Sequence, residues 1–192
     1  FISDNLPDKQ LKKSVFLWPI GLESKMIEDQ VLMNTFFDLL RKSDNTTRKA
    51  KITCNAHLNI YDHPASGQRS DRRDMVNELN QSEKVDFLEK RKPREECLKS
   101  MTEYCAELCP EGNGIDTHRF YEVFALGGVP IVRKGLYQPV HSQFPGMVSL
   151  EKWSDVDELN LGELKQSTSS IERLQHISLG TWLYKALRPR CR

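Results

Sequence analysis

Long apolar runs are missing from this sequence. None approaches the roughly 20 residues that a bilayer-spanning helix needs, so no membrane segment is expected in this stretch. A dominant charge is missing too. Across 192 residues, 28 basic side chains face 27 acidic ones, and a net charge of +1 gives no bulk pull toward nucleic acid. No Gly-x-Gly-x-x-Gly fingerprint occurs, and no glycine loop ends in the Lys-Ser/Thr of a P-loop, which disfavours a Rossmann-type reductase or a kinase half. No Pro/Gly/Ser-rich linker divides the chain, so one core is the simpler reading. No signal peptide is evident, and a chain that starts at Phe1 is expected to be part of a longer protein. Five cysteines cannot all pair within the chain, and Cys105 and Cys109 have neither zinc-knuckle nor redox spacing.

What the sequence has is one dense stretch, CPEGNGIDTHRFYEVFALGGVPIV, at residues 109–132. Residues 106–109 read as a short apolar run ending at Pro110, and Gly112-Asn113-Gly114 as a flexible loop. Residues 116–127 have helical periodicity, and 129–132 form a second apolar run. Strand, glycine loop, helix and strand make one βαβ unit. The loop at the first strand's carboxyl end is where α/β sheets bind ligands. Asp116 is expected as the helix N-cap. Phe120, Val123, Phe124 and Gly127 are expected to face the sheet.

Arg119 and Glu122 stand three apart beside that apolar stripe. As a surface ion pair they would contribute roughly 0.3 kcal/mol. Arg119, however, sits in the first helical turn, where the macrodipole disfavours a cation, and Arg before Glu is the weaker order. An anion at the helix N-terminus removes the objection. Backbone N–H groups would hold a phosphate there, and Arg119 would reach it as a fork of donors. Glu122 would accept hydrogen bonds from a vicinal diol such as a ribose.

These residues resemble the donor-binding segment of exostosin-like glycosyltransferases. The matching positions are Pro110, Gly112, Gly114, Arg119, Glu122, Gly128 and Pro130. The resemblance implies a GT-B architecture, in which paired Rossmann-like domains face a cleft and this chain is the C-terminal, donor-binding half. It implies a nucleotide-sugar donor, uridine-linked, and a glycan or other hydroxyl acceptor. Arg119, Gly112, Asn113, Gly114, Asp116, Thr117 and His118 are then the diphosphate and sugar site, and Glu122 the ribose contact. The catalytic base is not identified, and belongs to a missing N-terminal domain. No cofactor is expected, and no metal, because Arg119 and the helix dipole would carry the leaving charge. Pro19-Ile20-Gly21 resembles the family's first donor loop, and one of Arg69, Arg72 and Arg73 resembles its second phosphate-binding arginine. Trp153, in the family-like ending Trp-Ser-Asp, is expected to be a lid over the sheet edge. A eukaryotic parent would work in the Golgi or endoplasmic reticulum lumen, otherwise the cytoplasm. The sequons at Asn45 and Asn80 are compatible with a secretory lumen without establishing one.

Elsewhere, strands are expected at 14–18, 51–60, 84–88 and 147–150, and helices at 25–41, from Ser70 onward, at 94–104 and at 171–187. The class is therefore α/β, a Rossmann-like, mainly parallel sheet with helices on both faces. One domain covers 1–192, with 1–13 as a linker from the missing domain and 168–192 as a closing helix and tail. Six strands suggest the order 3-2-1-4-5-6, with 106–109 between 14–18 and 129–132. Cys54, Cys105 and Cys109 fall in strands and Cys97 in a helix, as small apolar residues. Zinc held by Cys54, His57 and His63 would have no recognised spacing. Nucleotide-sugar-dependent glycosyl transfer is the expected function. The alternative is a non-catalytic nucleotide-binding module derived from a glycosyltransferase.

Overall fold

The computed structural model describes residues 19–56, 71–88, 92–112, 116–135, 137–178 and 180. Five strands form one sheet: β1 (Lys49–Cys54), β2 (Val85–Phe87), β3 (Tyr104–Leu108), β4 (Val129–Arg133) and β5 (Val148–Leu150). Their order is β2-β1-β3-β4-β5, and every pairing is parallel. The α/β class is therefore as the alternation of elements implied.

The expected strand order is not found. β3 pairs with β1 on one side and β4 on the other, with Thr53 opposite Glu107 and Glu107 opposite Pro130. The neighbour expected at 14–18 lies outside the described residues. Its place beside β3 belongs to the strand that the sequence puts one position further out. The point where the strand order reverses therefore falls between β1 and β3, still beside the glycine loop.

Helices cover both faces, as a parallel sheet requires. On one side lie α1 (Ser24–Glu28), α2 (Gln30–Lys42), α4 (Arg94–Glu103), α5 (His118–Ala125) and α7 (Ser170–Ile177). Their buried residues include Phe36, Leu40, Leu98, Met101, Phe120 and Phe124. On the other side α3 (Asp71–Leu79) and a 3-10 turn (Trp153–Glu158) meet Ile52, Leu108 and Ile131 through Met75, Leu79 and Trp153. The short α6 (Gln138–His141) follows β4.

The helix expected at 25–41 is broken at Asp29, whose carboxylate accepts from the amides of Val31 and Leu32. That N-cap starts α2 afresh. Trp153 is no lid. It is fully buried, and its indole N–H donates to Asp71 at 3.0 Å. Lys152 is the N-cap of that turn, and the Asp155 carboxylate accepts from the Lys152 amide.

Candidate functional site

Pro110, Glu111 and Gly112 follow β3, Asn55 follows β1, and α5 begins across the loop from both. A glycine is needed at 112 for close approach. A Cβ there would lie 2.9 Å from the Arg72 guanidinium and 3.4 Å from the Thr117 methyl. Arg72 also donates its Nε–H to the Glu111 carbonyl at 3.0 Å. Of the basic residues at the start of α3, Arg72 is at the glycine loop, while Arg69 lies outside the described residues. Asp71 holds the same loop from the other side. Its carboxylate accepts from the Glu111 amide at 2.9 Å, from the Trp153 indole, and from Arg133 at 2.8 Å.

Arg119 occupies the first turn of α5, as its spacing implied. It does not pair with Glu122. Its Nη1 donates to Glu107 Oε1 at 2.5 Å. Glu107 is 1% exposed near the carboxyl end of β3, so the run at 106–109 is not apolar but carries a buried carboxylate. The second oxygen, Oε2, has no hydrogen-bond partner among the described residues. Burial pushes the Glu107 carboxyl above the usual range, and Arg119 opposes that without reversing it. Burial works against the Arg119 charge in turn, and Glu107 outweighs it, so the guanidinium is held more firmly protonated than usual.

Glu122 is also 1% exposed, within a run of α5, residues 120–125, that is buried throughout. Its Oε1 accepts from Arg94, the first residue of α4, which also reaches Glu23 at 3.3 Å. Glu122 Oε2 and Arg94 Nε have no hydrogen-bond partners among the described residues. Two adjacent buried ion pairs therefore underlie the loop, Arg119 with Glu107 and Arg94 with Glu122.

Asp116 is not the N-cap of α5. Thr117 is the N-cap residue, without a capping bond from its side chain. Asp116 accepts instead from the Ile20 amide at 3.0 Å, the Tyr121 hydroxyl at 2.7 Å and the Thr117 amide at 3.0 Å. His141 Nε2 stands 3.3 Å from the same carboxylate, and its ring stacks on Phe120. His118 Nδ1 meets the Gly21 carbonyl at 2.7 Å, and since a carbonyl only accepts, Nδ1 carries the proton. Asp116 and His118 together fasten the loop at Ile20 and Gly21 beside the entry to α5. Asn113 and Gly114 lie outside the described residues.

Arg72 and Arg119 lie in each other's field. Burial lowers the Arg72 pKa, and the Arg119 charge adds to that. Two cations beside a glycine loop, at the switch point of a parallel sheet, can receive an anion. Glu107 is the internal competitor for one of them.

Among the described residues no three His, Cys, Asp or Glu side chains converge on a possible metal position. Cys54 is buried, while His57 and His63 lie outside the described residues. The sequence has an Asp-x-Asp triplet at Asp155-Val156-Asp157. Asp155 accepts from the Lys152 amide, and Asp157 from the Ser82 hydroxyl at 2.6 Å, outside the loop. The described cysteines, Cys54, Cys97, Cys105 and Cys109, are free thiols, three buried and Cys97 half-buried.

The sequence reading missed Glu107, Arg94 and Asp71. A charged residue inside an otherwise apolar strand was the available signal for Glu107. Nothing local marks Arg94 or Asp71. Comparison with known protein-family models found no match for this chain, and comparison with curated proteins found none either.

Proposed function

We propose that this chain is the donor-binding domain of a nucleotide-sugar-dependent glycosyltransferase and receives the diphosphate of the donor at the glycine loop. The observation that carries the reading is the Arg72 guanidinium against Gly112, with the Arg119 charge acting on Arg72, beside the reversal of strand order. Arg119 meets the phosphates as a fork of donors, with loop amides around them. It stabilises the charge that grows on the leaving diphosphate as the anomeric carbon takes an acceptor hydroxyl. The acceptor and the base come from a further domain. Asn113, Thr117 and His118 are assigned to the phosphate and sugar, and Glu122 to the ribose. Since Arg94 binds Glu122, a ribose contact there requires Arg94 to give way.

A second reading, a nucleotide-binding module without catalysis, is favoured by one observation. Glu107 and Arg94 already satisfy the charges of Arg119 and Glu122. Calorimetric titration with UDP, GDP, NAD and uridine tests binding. UDP above uridine supports a diphosphate site, and NAD equal to or above UDP rejects the donor-domain reading. A catalytic role then requires that the full-length protein hydrolyse or transfer a UDP-sugar.

A further inference from the structure

A second basic site lies at the other end of the sheet, and it needs no assumption about the glycine loop. Gly127, just before β4, has φ +81. A Cβ there would fall 3.1 Å from Arg48 Nη2 and 3.2 Å from Arg173 Nη2, so two guanidiniums converge on one glycine. They form part of the wall of an open cleft of about 410 Å³ that Lys165, Ser167 and Asp44 also line. That volume suits a small ligand.

The hydrogen bonds explain how two arginines can sit together. Arg48 Nη1 donates to the carbonyls of Met101 at 2.8 Å and Tyr104 at 3.0 Å, and Nη2 to Leu126. Arg173 donates Nε–H to Ala125 at 3.0 Å and Nη1–H to Thr168. Its Nη2 donates to Ser43 Oγ at 2.6 Å and Asp44 Oδ1 at 2.9 Å. Most of these acceptors are neutral carbonyls at the carboxyl ends of α4 and α5. They satisfy N–H groups without cancelling the charge. Arg48, Arg173 and Lys165 are three cations, and Asp44 is one carboxylate. Crediting each of the two helix ends with about half a negative charge still leaves the wall positive. Burial first, and the Arg173 charge second, lower the Arg48 pKa to about 10.

We propose that this cleft binds a tetrahedral oxyanion, a sulfate or phosphate group, between Lys165 and the paired guanidiniums over Gly127. Such a group supplies the missing negative charge and accepts several N–H bonds at once. The volume leaves room for a monosaccharide-sized body bearing it. The group can be a free ion or an ester, and the two are separated by titration.

The test titrates the chain with inorganic sulfate, inorganic phosphate and glucose 6-phosphate at constant ionic strength, by calorimetry and by amide chemical shifts. Saturable binding at millimolar concentration is expected, with shifts at Gly127, Ser167 and Thr168. Lys165→Glu should weaken it roughly tenfold or more without moving the melting temperature, since Lys165 is exposed. Tighter binding of glucose 6-phosphate would identify an ester ligand, and equal binding a free ion; both support the site. Unsaturable binding, affinity unchanged in Lys165→Glu, or shifts confined to Gly112 and Thr117 would overturn it. The last result would leave the glycine-loop reading standing alone.

Discussion

Arg119 and Glu107 form a buried ion pair between the first turn of α5 and the carboxyl-terminal part of β3, with Nη1 and Oε1 2.5 Å apart. The Arg119 side chain is 20% exposed and the Glu107 side chain 1%. One partner can thus reach a ligand and the other cannot. Glu107 is the anion that the position of Arg119 on a helix dipole calls for. It makes Glu107 both the support of Arg119 and its competitor for a diphosphate.

The pair should behave as a unit in folding. Arg119→Met leaves Glu107 charged and buried, at a cost of about 3 kcal/mol, the lower end for a broken buried pair because a fifth of Arg119 is exposed. Adding Glu107→Gln should restore 1 kcal/mol or more, on the order of known couplings between contacting residues. Urea denaturation of the two single variants and the double variant measures this. Additive costs would show that the residues do not interact.

Binding should respond to the same two residues in opposite directions. Arg119→Ala should weaken UDP by about 2 kcal/mol, the scale of a lost charge-assisted hydrogen bond, and leave uridine unchanged. Glu107→Gln frees Arg119 from competition and should tighten UDP by roughly 1 kcal/mol. Calorimetry of the variants checks both signs. Unchanged UDP affinity in Arg119→Ala would remove the residue from the site.

Glu107 also sets a pH dependence. Its carboxyl is raised by burial above the ordinary value of 4.5. In the window between that value and the raised one, the folded chain binds more protons than the unfolded chain. Stability contributed by this group therefore rises as pH falls through the raised pKa, and is lost as pH rises. Wild type should gain on Glu107→Gln when denaturation is followed from neutral pH down toward 4.5. A difference that is flat with pH would contradict the assignment.

Trp153→Phe keeps an aromatic ring in the core but removes the indole donor to Asp71. A cost of about 1–3 kcal/mol is expected for an acceptor left short of a partner in a buried site. Because Asp71 also holds the Glu111 amide, the change should loosen the glycine loop. Faster amide exchange at Glu111 and Gly112 reports this, and unchanged exchange would mean that Asp71 holds the loop without the indole.

Gly127→Ala should destabilise by roughly 1–2 kcal/mol, since an L-residue at positive φ is strained. The new methyl must also displace the Arg48 or Arg173 guanidinium. Thermal unfolding measures the loss, and a neutral result would mean that the turn relaxes.

The βαβ unit around the glycine loop was legible in the sequence because its signals are local. Phe120, Val123 and Phe124 recur at helical spacing and are fully buried. Val129 to Val132 is apolar because β4 is covered on both faces. The first-turn position of Arg119, and its need of an anion, also follow from sequence and the helix dipole. Which anion meets it was decided by tertiary structure. Glu107 is twelve residues away from Arg119, and Arg94 twenty-eight from Glu122. Such pairs form only once parallel strands and their crossover helices have stacked, and no periodicity encodes them. The neighbour of β3 was likewise settled by sheet assembly, since apolar strands of similar length carry no local mark of their order. Asp116 shows the same limit at one residue: its type suits a helix cap, but the folded chain brings Ile20, Tyr121 and His141 to its carboxylate, and those partners win.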